Sequence, residues 1–155
     1  MSIVVYDTRR GDKMPFETIE PGKVGMYVCG VTPYARCHLG HARCYVAWDI
    51  VYRYLCFAGY DVTYVRNFTD VDDKIINKAN ELEMDPLALA EENIQAFYGD
   101  MDALGIARPQ QEPRVSTSID EIISIVKTLE QKGYAYNVDG DVYYEVAKFD
   151  GYGKL

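Results

Sequence analysis

Three observations in the sequence predict an α/β fold organised on a parallel sheet. Residues 24–29 and 61–68 are short runs carrying β-branched and aromatic side chains, the composition of strands. Between them lies a stretch of helical periodicity, and strand, helix, strand over this length makes a right-handed βαβ unit with parallel strands. The first run ends in Cys29-Gly30, a turn-rich segment follows, and His38-Leu39-Gly40-His41 opens the helix. Strand, tight loop and helix N-terminus together form a phosphate site in open α/β sheets. The first N–H groups of a helix lack intrahelical partners, and its dipole favours an anion there.

Each element has its own signal. Residues 2–8 contain Ile-Val-Val-Tyr and read as a short strand, whereas residues 9–22, with Gly11, Pro15, Pro21 and Gly22, read as a connection. Residues 24–29 are an apolar run of the kind buried in a parallel sheet. Past the loop, Cys44, Ala47, Val51, Leu55 and Ala58 recur at helical spacing and Gly59 supplies a stop. Cys44 and Cys56 then pack along that helix, Trp48 and the nearby tyrosines are core or rim, and Arg43 and Arg53 are solvated or ion-paired. Thr69-Asp70-Val71-Asp72-Asp73 reads as a helix start capped by Thr69 or Asp70. A calcium loop is excluded, because Ile75 stands sixth, where that loop needs Gly. Asp85-Pro86 opens a helix running through Leu87, Ala90, Ile94, Phe97, Met101 and Leu104 to Gly105. Pro109 and Pro113 mark a boundary. A last helix over about 118–132 turns Ile119, Ile122, Ile123, Val126 and Leu129 to one face, and two strand-like runs flank Asp139-Gly140 as a β-hairpin.

With 155 residues the chain has room for one domain, or one plus part of another, and it can bury roughly 68–70% of its unfolded surface. An apolar content of 48% and a charged content of 26% are those of an ordinary soluble globular protein. The formal net charge of −8 argues against broad, non-specific binding to nucleic acid or an anionic membrane, while leaving room for a local basic strip. Cys29, Cys37, Cys44 and Cys56 never approach the spacing of a self-contained zinc module. No charged-then-apolar leader precedes them, so reduced thiols in a cytosol-like compartment are expected. No apolar run approaches the length of a membrane span.

His38 and His41 are the only histidines. They flank Leu39-Gly40, so both imidazoles can reach the same side of a helix start and donate to a phosphoryl group as charge develops on it. Gly40, without a side chain, lets a flat ring or a phosphate approach its backbone. A competing reading makes one histidine a helix cap and the other a solvated surface residue. Cys29, from the residues alone, is a buried strand-end thiol.

His38-Leu39-Gly40-His41 resembles the HIGH signature of class I aminoacyl-tRNA synthetases, with Leu in second position. Cys29-Gly30-Val31-Thr32 ahead of it, and residues 59–76 with Tyr64-Val65-Arg66-Asn67-Phe68-Thr69-Asp70-Val71-Asp72-Asp73-Lys74, narrow the resemblance. Together they are similar to the N-terminal part of the cysteinyl-tRNA synthetase family, most densely over residues 27–80 and more thinly to residue 155. The resemblance implies the first half of a Rossmann-type nucleotide-binding sheet over residues 1–110. Over residues 111–155 it implies the start of an α+β connective insertion, a helix plus a β-hairpin. It implies ATP-dependent activation of L-cysteine to cysteinyl-adenylate, with pyrophosphate leaving, and transfer to tRNA(Cys). Carried onto matching positions, His38 and His41 are catalytic, stabilising phosphate charge, and Gly30, Thr32, His38, Gly40 and His41 bind ATP, which brings Mg2+. Cys29 matches a zinc ligand, and zinc would suit a thiolate substrate that serine cannot mimic. The other zinc ligands, the lysine-rich signature loop and the anticodon-binding region of the family lie beyond residue 155. The chain is therefore expected to be an incomplete piece of a cytoplasmic enzyme, monomeric at full length; an organellar copy would look the same.

Some residues depart from the family pattern. Pro33 stands where Val is more usual, and Ala35-Arg36 replaces a pair containing an acidic residue. Thr32-Pro33-Tyr34 with the His pair also resembles the ATP-dependent ligase that joins cysteine to the amino-sugar precursor of mycothiol. Asp72-Asp73-Lys74-Ile75-Ile76 and Gly140-Asp141-Val142-Tyr143 favour the synthetase. A third reading is a non-catalytic truncated paralogue that binds a nucleotide or a protein.

Overall fold

Residues 3–154 are described by the structure, a computed structural model. They form two units, one of Thr18–Ser118 and one joining the residues up to Glu17 with those from Ile119 onward. In the latter, β1 (Val4–Asp7) pairs antiparallel with β2 (Asp12–Pro15). The segment expected to be a plain connection therefore carries a strand of its own. Its alternation is too polar to signal one, and its position is set by Phe16 donating to the Ile3 carbonyl at 2.8 Å.

The unit of Thr18–Ser118 is built on β3 (Lys23–Val31), α1 (Leu39–Phe57) and β4 (Asp61–Phe68), with β3 and β4 parallel. That is the expected βαβ unit. One expectation needs correction: β3 is not sunk on both faces. Val24, Met26 and Val28 are buried, whereas Gly25, Tyr27 and Cys29 on the opposite face are exposed, the period-two signature of a half-covered strand. On β4, Val62, Tyr64, Arg66 and Phe68 face the core.

After β4 come α2 (Asp73–Glu81) and α3 (Pro86–Ala103), which pack on each other through Ile75, Ala79, Leu89 and Ala90. The cap of α2 is Asp72, whose side chain accepts from the Lys74 amide, and not Thr69 or Asp70. Asp70 is drawn elsewhere. It is buried and accepts from the Ser116 amide and hydroxyl, so the run of three carboxylates is split between a clamp, a cap and a first-turn residue. Asp85 caps α3 with Pro86 in its first turn, as expected. Ile94, Phe97 and Met101 of α3 are buried in the core, where the Phe68 ring meets that of Phe97 edge-on at 5.5 Å.

The stretch carrying Pro109 and Pro113 runs beside β4, with Gln111 bridging to Val65 and Arg114 to Phe68. Arg66 is 1% exposed and paired with Glu112 at 2.5 Å, while Tyr98 donates to the other Glu112 oxygen at 2.9 Å. The Arg66 guanidinium also lies over the rings of Phe97 and Tyr45, 4.6 and 5.1 Å from their centroids. Stacking of this kind is how a buried cation that has one carboxylate partner covers its remaining faces.

In the other unit, α4 (Ile119–Gln131) leads to the hairpin of β5 (Ala135–Val138) and β6 (Asp141–Tyr144). Its two-residue turn is the expected Asp139-Gly140, with φ of +53° and +99°, the positive values such hairpins require. Among the described residues no helix is long and apolar enough to cross a membrane.

Candidate active site at the end of β3 and the start of α1

The site begins where β3 loses its regular register. Val28 pairs with Arg66 and Val31 with Phe68, so between these pairs Cys29 and Gly30 lie opposite Asn67 alone. A bulge of this kind re-aims side chains at a strand end. Asn67 holds it: its Oδ1 accepts from the Gly30 amide at 2.8 Å and the Tyr27 hydroxyl at 3.0 Å, and its Nδ2 donates to Thr69 Oγ1 at 3.3 Å. A Cβ on residue 30 would sit 1.5 Å from the Asn67 carbonyl oxygen. Only glycine fits there, and the reason lies within the protein.

Cys29 is exposed, which corrects the reading of a buried strand-end thiol. Its carbonyl accepts from the hydroxyl of Tyr45, one turn beyond His41 on α1, at 3.2 Å. Tyr45 is buried against Phe97, and burial pushes its phenol well above the ordinary tyrosine value, so it stays a proton donor. The strand end and the helix start are thereby joined.

His38 is the N-cap of α1 and His41 its N3 residue, and each binds the other's backbone in a capping box. The His38 Nδ1 accepts from the Gly40 amide at 3.0 Å, and the His41 Nδ1 accepts from the His38 amide at 3.2 Å. The ring centroids are 4.1 Å apart. Burial, together with the neighbouring His38, holds His41 below its ordinary value. The pair is therefore both a cap and a convergent pair of imidazoles, so the two readings of the sequence are not exclusive.

Thr32, His38 and His41 line one cavity of about 90 Å³ with Pro33, Asn93 and Phe97. Gly30, Gly40 and Cys29 lie outside that lining. Cys37 lies between this cavity and a second groove along α3, where burial and then the charge of Asp100 push its thiol up. Asn67 and Tyr45 were not singled out from the sequence. Asn67 carried a signal, since Asn is depleted in strands yet stands inside one here. Tyr45 carried none beyond its place on a helix.

Helix α1 also corrects the expected apolar stripe. Cys44, Ala47, Val51 and Cys56 are exposed, as is Trp48, and the buried residues are Tyr45 and Leu55. The sheet-facing line includes Asp49 and Tyr52, which satisfy the Ala107 amide and the Gln110 side chain; polar atoms on that line hid it from a hydrophobicity count. Arg53 is ion-paired with Asp49, as expected.

A tetrahedral zinc centre takes four ligands. Among the described residues no three of His, Cys, Asp or Glu gather closely enough to hold a metal ion. Cys29 supplies a single accessible thiol, so these residues do not complete a zinc site.

The comparisons with known proteins agree with this geometry. Residues 15–155 match the family described as the tRNA synthetases class I (C) catalytic domain. The cysteine–tRNA ligase of Syntrophotalea carbinolica is 56% identical over the whole chain, which covers 32% of that relative. The cysteine–tRNA ligase of Geobacter metallireducens is 54% identical, with the same coverage. The chain thus spans about a third of the length of the curated relatives it matches. Among solved structures, Mycobacterium tuberculosis methionyl-tRNA synthetase in complex with methionyl-adenylate aligns with a TM-score of 0.64 and 25% identity, over 72% of this chain and 23% of that one. A LeuRS–tRNA–LeuAMS complex from Agrobacterium radiobacter aligns at 0.65 and 23% identity, over 76% and 16%, and shares the fold. The matched family, the parallel β3–β4 unit and the signature residues at its mouth agree, and the chain belongs to the class I (C) tRNA synthetase catalytic-domain family.

Proposed function

We propose that the protein carrying this sequence is a cysteine–tRNA ligase of the cytosol, monomeric at full length, and that residues 29–41 form the ATP-facing part of its active site. The observation that carries this is the convergence of two imidazoles, 4.1 Å between ring centroids, at the mouth of a parallel βαβ unit. The names of the relatives matched along the whole chain supply the substrate. In the reaction, the cysteine carboxylate attacks the α-phosphorus of ATP and pyrophosphate leaves; a hydroxyl of the tRNA terminus then takes the cysteinyl group from the adenylate and AMP leaves. Such transfer depends on positioning and on electrostatic stabilisation of the phosphoryl oxygens. His38 and His41 donate hydrogen bonds as that charge develops. Thr32 borders the same cavity, and Gly30 admits the bulge that sets the end of β3 beside it.

Cysteine-dependent ATP–pyrophosphate exchange and tRNA cysteinylation test the proposal. The assay uses a protein that carries this sequence at the length of its curated relatives, beside the 155-residue chain alone. Exchange and cysteinylation are expected from the longer protein and no exchange from the chain alone. Transfer of cysteine to an amino-sugar instead of tRNA, or exchange by the isolated chain, would overturn this account.

A further inference from the structure

The capping hydrogen bonds bear on which nitrogen of each histidine carries its proton, and this deepens the proposed nucleotide site. A helix start normally offers an anion its unpartnered backbone N–H groups. Here the histidines take up three of them, the amides of His38, Gly40 and His41. The Gly40 amide donates to His38 Nδ1 and the His38 amide to His41 Nδ1. The His41 amide donates to the His38 carbonyl at 2.9 Å. A nitrogen that accepts a hydrogen bond carries no proton, and a neutral imidazole has one N–H, so the proton of each ring must sit on Nε2.

We propose that the His38-Leu39-Gly40-His41 turn is a self-capping device: it turns two backbone donors inward and presents an anion with two Nε2–H groups in their place. Each ring is then a neutral donor locked in one tautomer while its Nδ1 holds the helix start. Gly40 belongs to the same device. A Cβ on residue 40 would meet His38 Cε1 at 2.8 Å and Nδ1 at 2.9 Å. The flat ring that needs an absent side chain at this position is the protein's own imidazole. Gly40 is a positioning residue for His38, whatever else passes over it. The inference rests on the nucleotide reading only for the identity of the anion, because the capping bonds all lie within residues 38–41.

The test is made on the 155-residue chain without ligand, so its outcome is separate from that of the exchange assay. In the 15N-labelled chain, couplings across the hydrogen bonds are expected from the Gly40 amide to His38 Nδ1 and from the His38 amide to His41 Nδ1, with protons on both Nε2 atoms. Protons on Nδ1, or absence of both couplings, would overturn the proposal. Gly40→Ala is expected to remove the first coupling and lower the melting midpoint by about 2–4 °C, the shift for roughly one lost cap in a chain of this size. Beside His38→Asn, whose shorter side chain still caps, the same Gly40→Ala change is expected to leave the midpoint unmoved. Equal losses in the two backgrounds, or no loss in either, would show that residue 40 is not glycine for the sake of His38.

Discussion

Two helices of the same unit are held in different ways. Six of the eighteen residues of α3 are buried, among them Ile94, Phe97 and Met101. Of the nineteen residues of α1 only Tyr45 and Leu55 are buried, and Val46, Ile50, Tyr54 and Phe57 are open to solvent. Hydrogen bonds supply what packing does not. Tyr45 reaches the Cys29 carbonyl, Asp49 accepts from the Ala107 amide, Arg53 donates to the Gly105 carbonyl, and the two histidines close the first turn. The helix that carries the candidate catalytic residues is thus located by polar contacts at its ends and edges. Its neighbour is located by apolar burial, and the two should respond to different mutations.

The largest effect is expected in α3. Phe97→Ala removes a ring that contacts Tyr45 and Phe68 edge-on and lies under Arg66. It should cost about 3–5 kcal/mol in urea unfolding, as large-to-small changes in a closed core do. A much smaller loss would mean that α3 is not the packed helix of the pair. Asn67→Ala comes next. It leaves the half-buried Gly30 amide without its acceptor and frees the bulge from β4, for an expected ~1–3 kcal/mol and faster hydrogen exchange at Gly30. Tyr45→Phe keeps the core ring and deletes only the hydroxyl that ties α1 to Cys29. A loss of about 0.5–1.5 kcal/mol is expected, with faster labelling of the Cys29 thiol. An unchanged labelling rate would show that the contact does not position the strand end.

The same contrast explains what could be read in the sequence. The helix of Ile94, Phe97 and Met101 was legible from spacing and from Asp85-Pro86, because apolar burial leaves a period in the sequence. The β5–β6 hairpin was legible from Asp139-Gly140, because its turn demands those residues. The buried line of α1 was not, since Tyr45, Asp49 and Tyr52 are placed by hydrogen-bond partners distant in sequence. Neither was the α2 cap: Thr69 and Asp70 are the candidates in the sequence, but Ser116, more than forty residues on, draws Asp70 away and Asp72 caps instead. At the site, the His pair and Gly30 were visible as letters. Asn67, which makes Gly30 obligatory, was not.

The smallest expected effect distinguishes the polar helix most finely, because it changes one proton. His41 accepts the His38 amide at Nδ1, and protonation would turn that acceptor into a donor and open the cap. Burial, and then the nearby His38, hold the folded pKa of His41 below the ordinary 6.5. Between that folded value and 6.5 the unfolded chain binds more protons than the folded one, so stability must fall as the pH drops through this window. The contribution is complete above 6.5 and gone below the folded value. Melting midpoints should decline on going from about pH 7.5 to about pH 5.5, before carboxylates such as Glu91 and Asp102, themselves held low by Gln95 and Arg108, begin to protonate. His41→Asn retains a capping acceptor that does not titrate, and should flatten this limb while leaving the more acidic one. A profile identical to that of the unaltered chain would mean that some other group titrates there, and that α1 does not depend on the neutral form of His41 at its start.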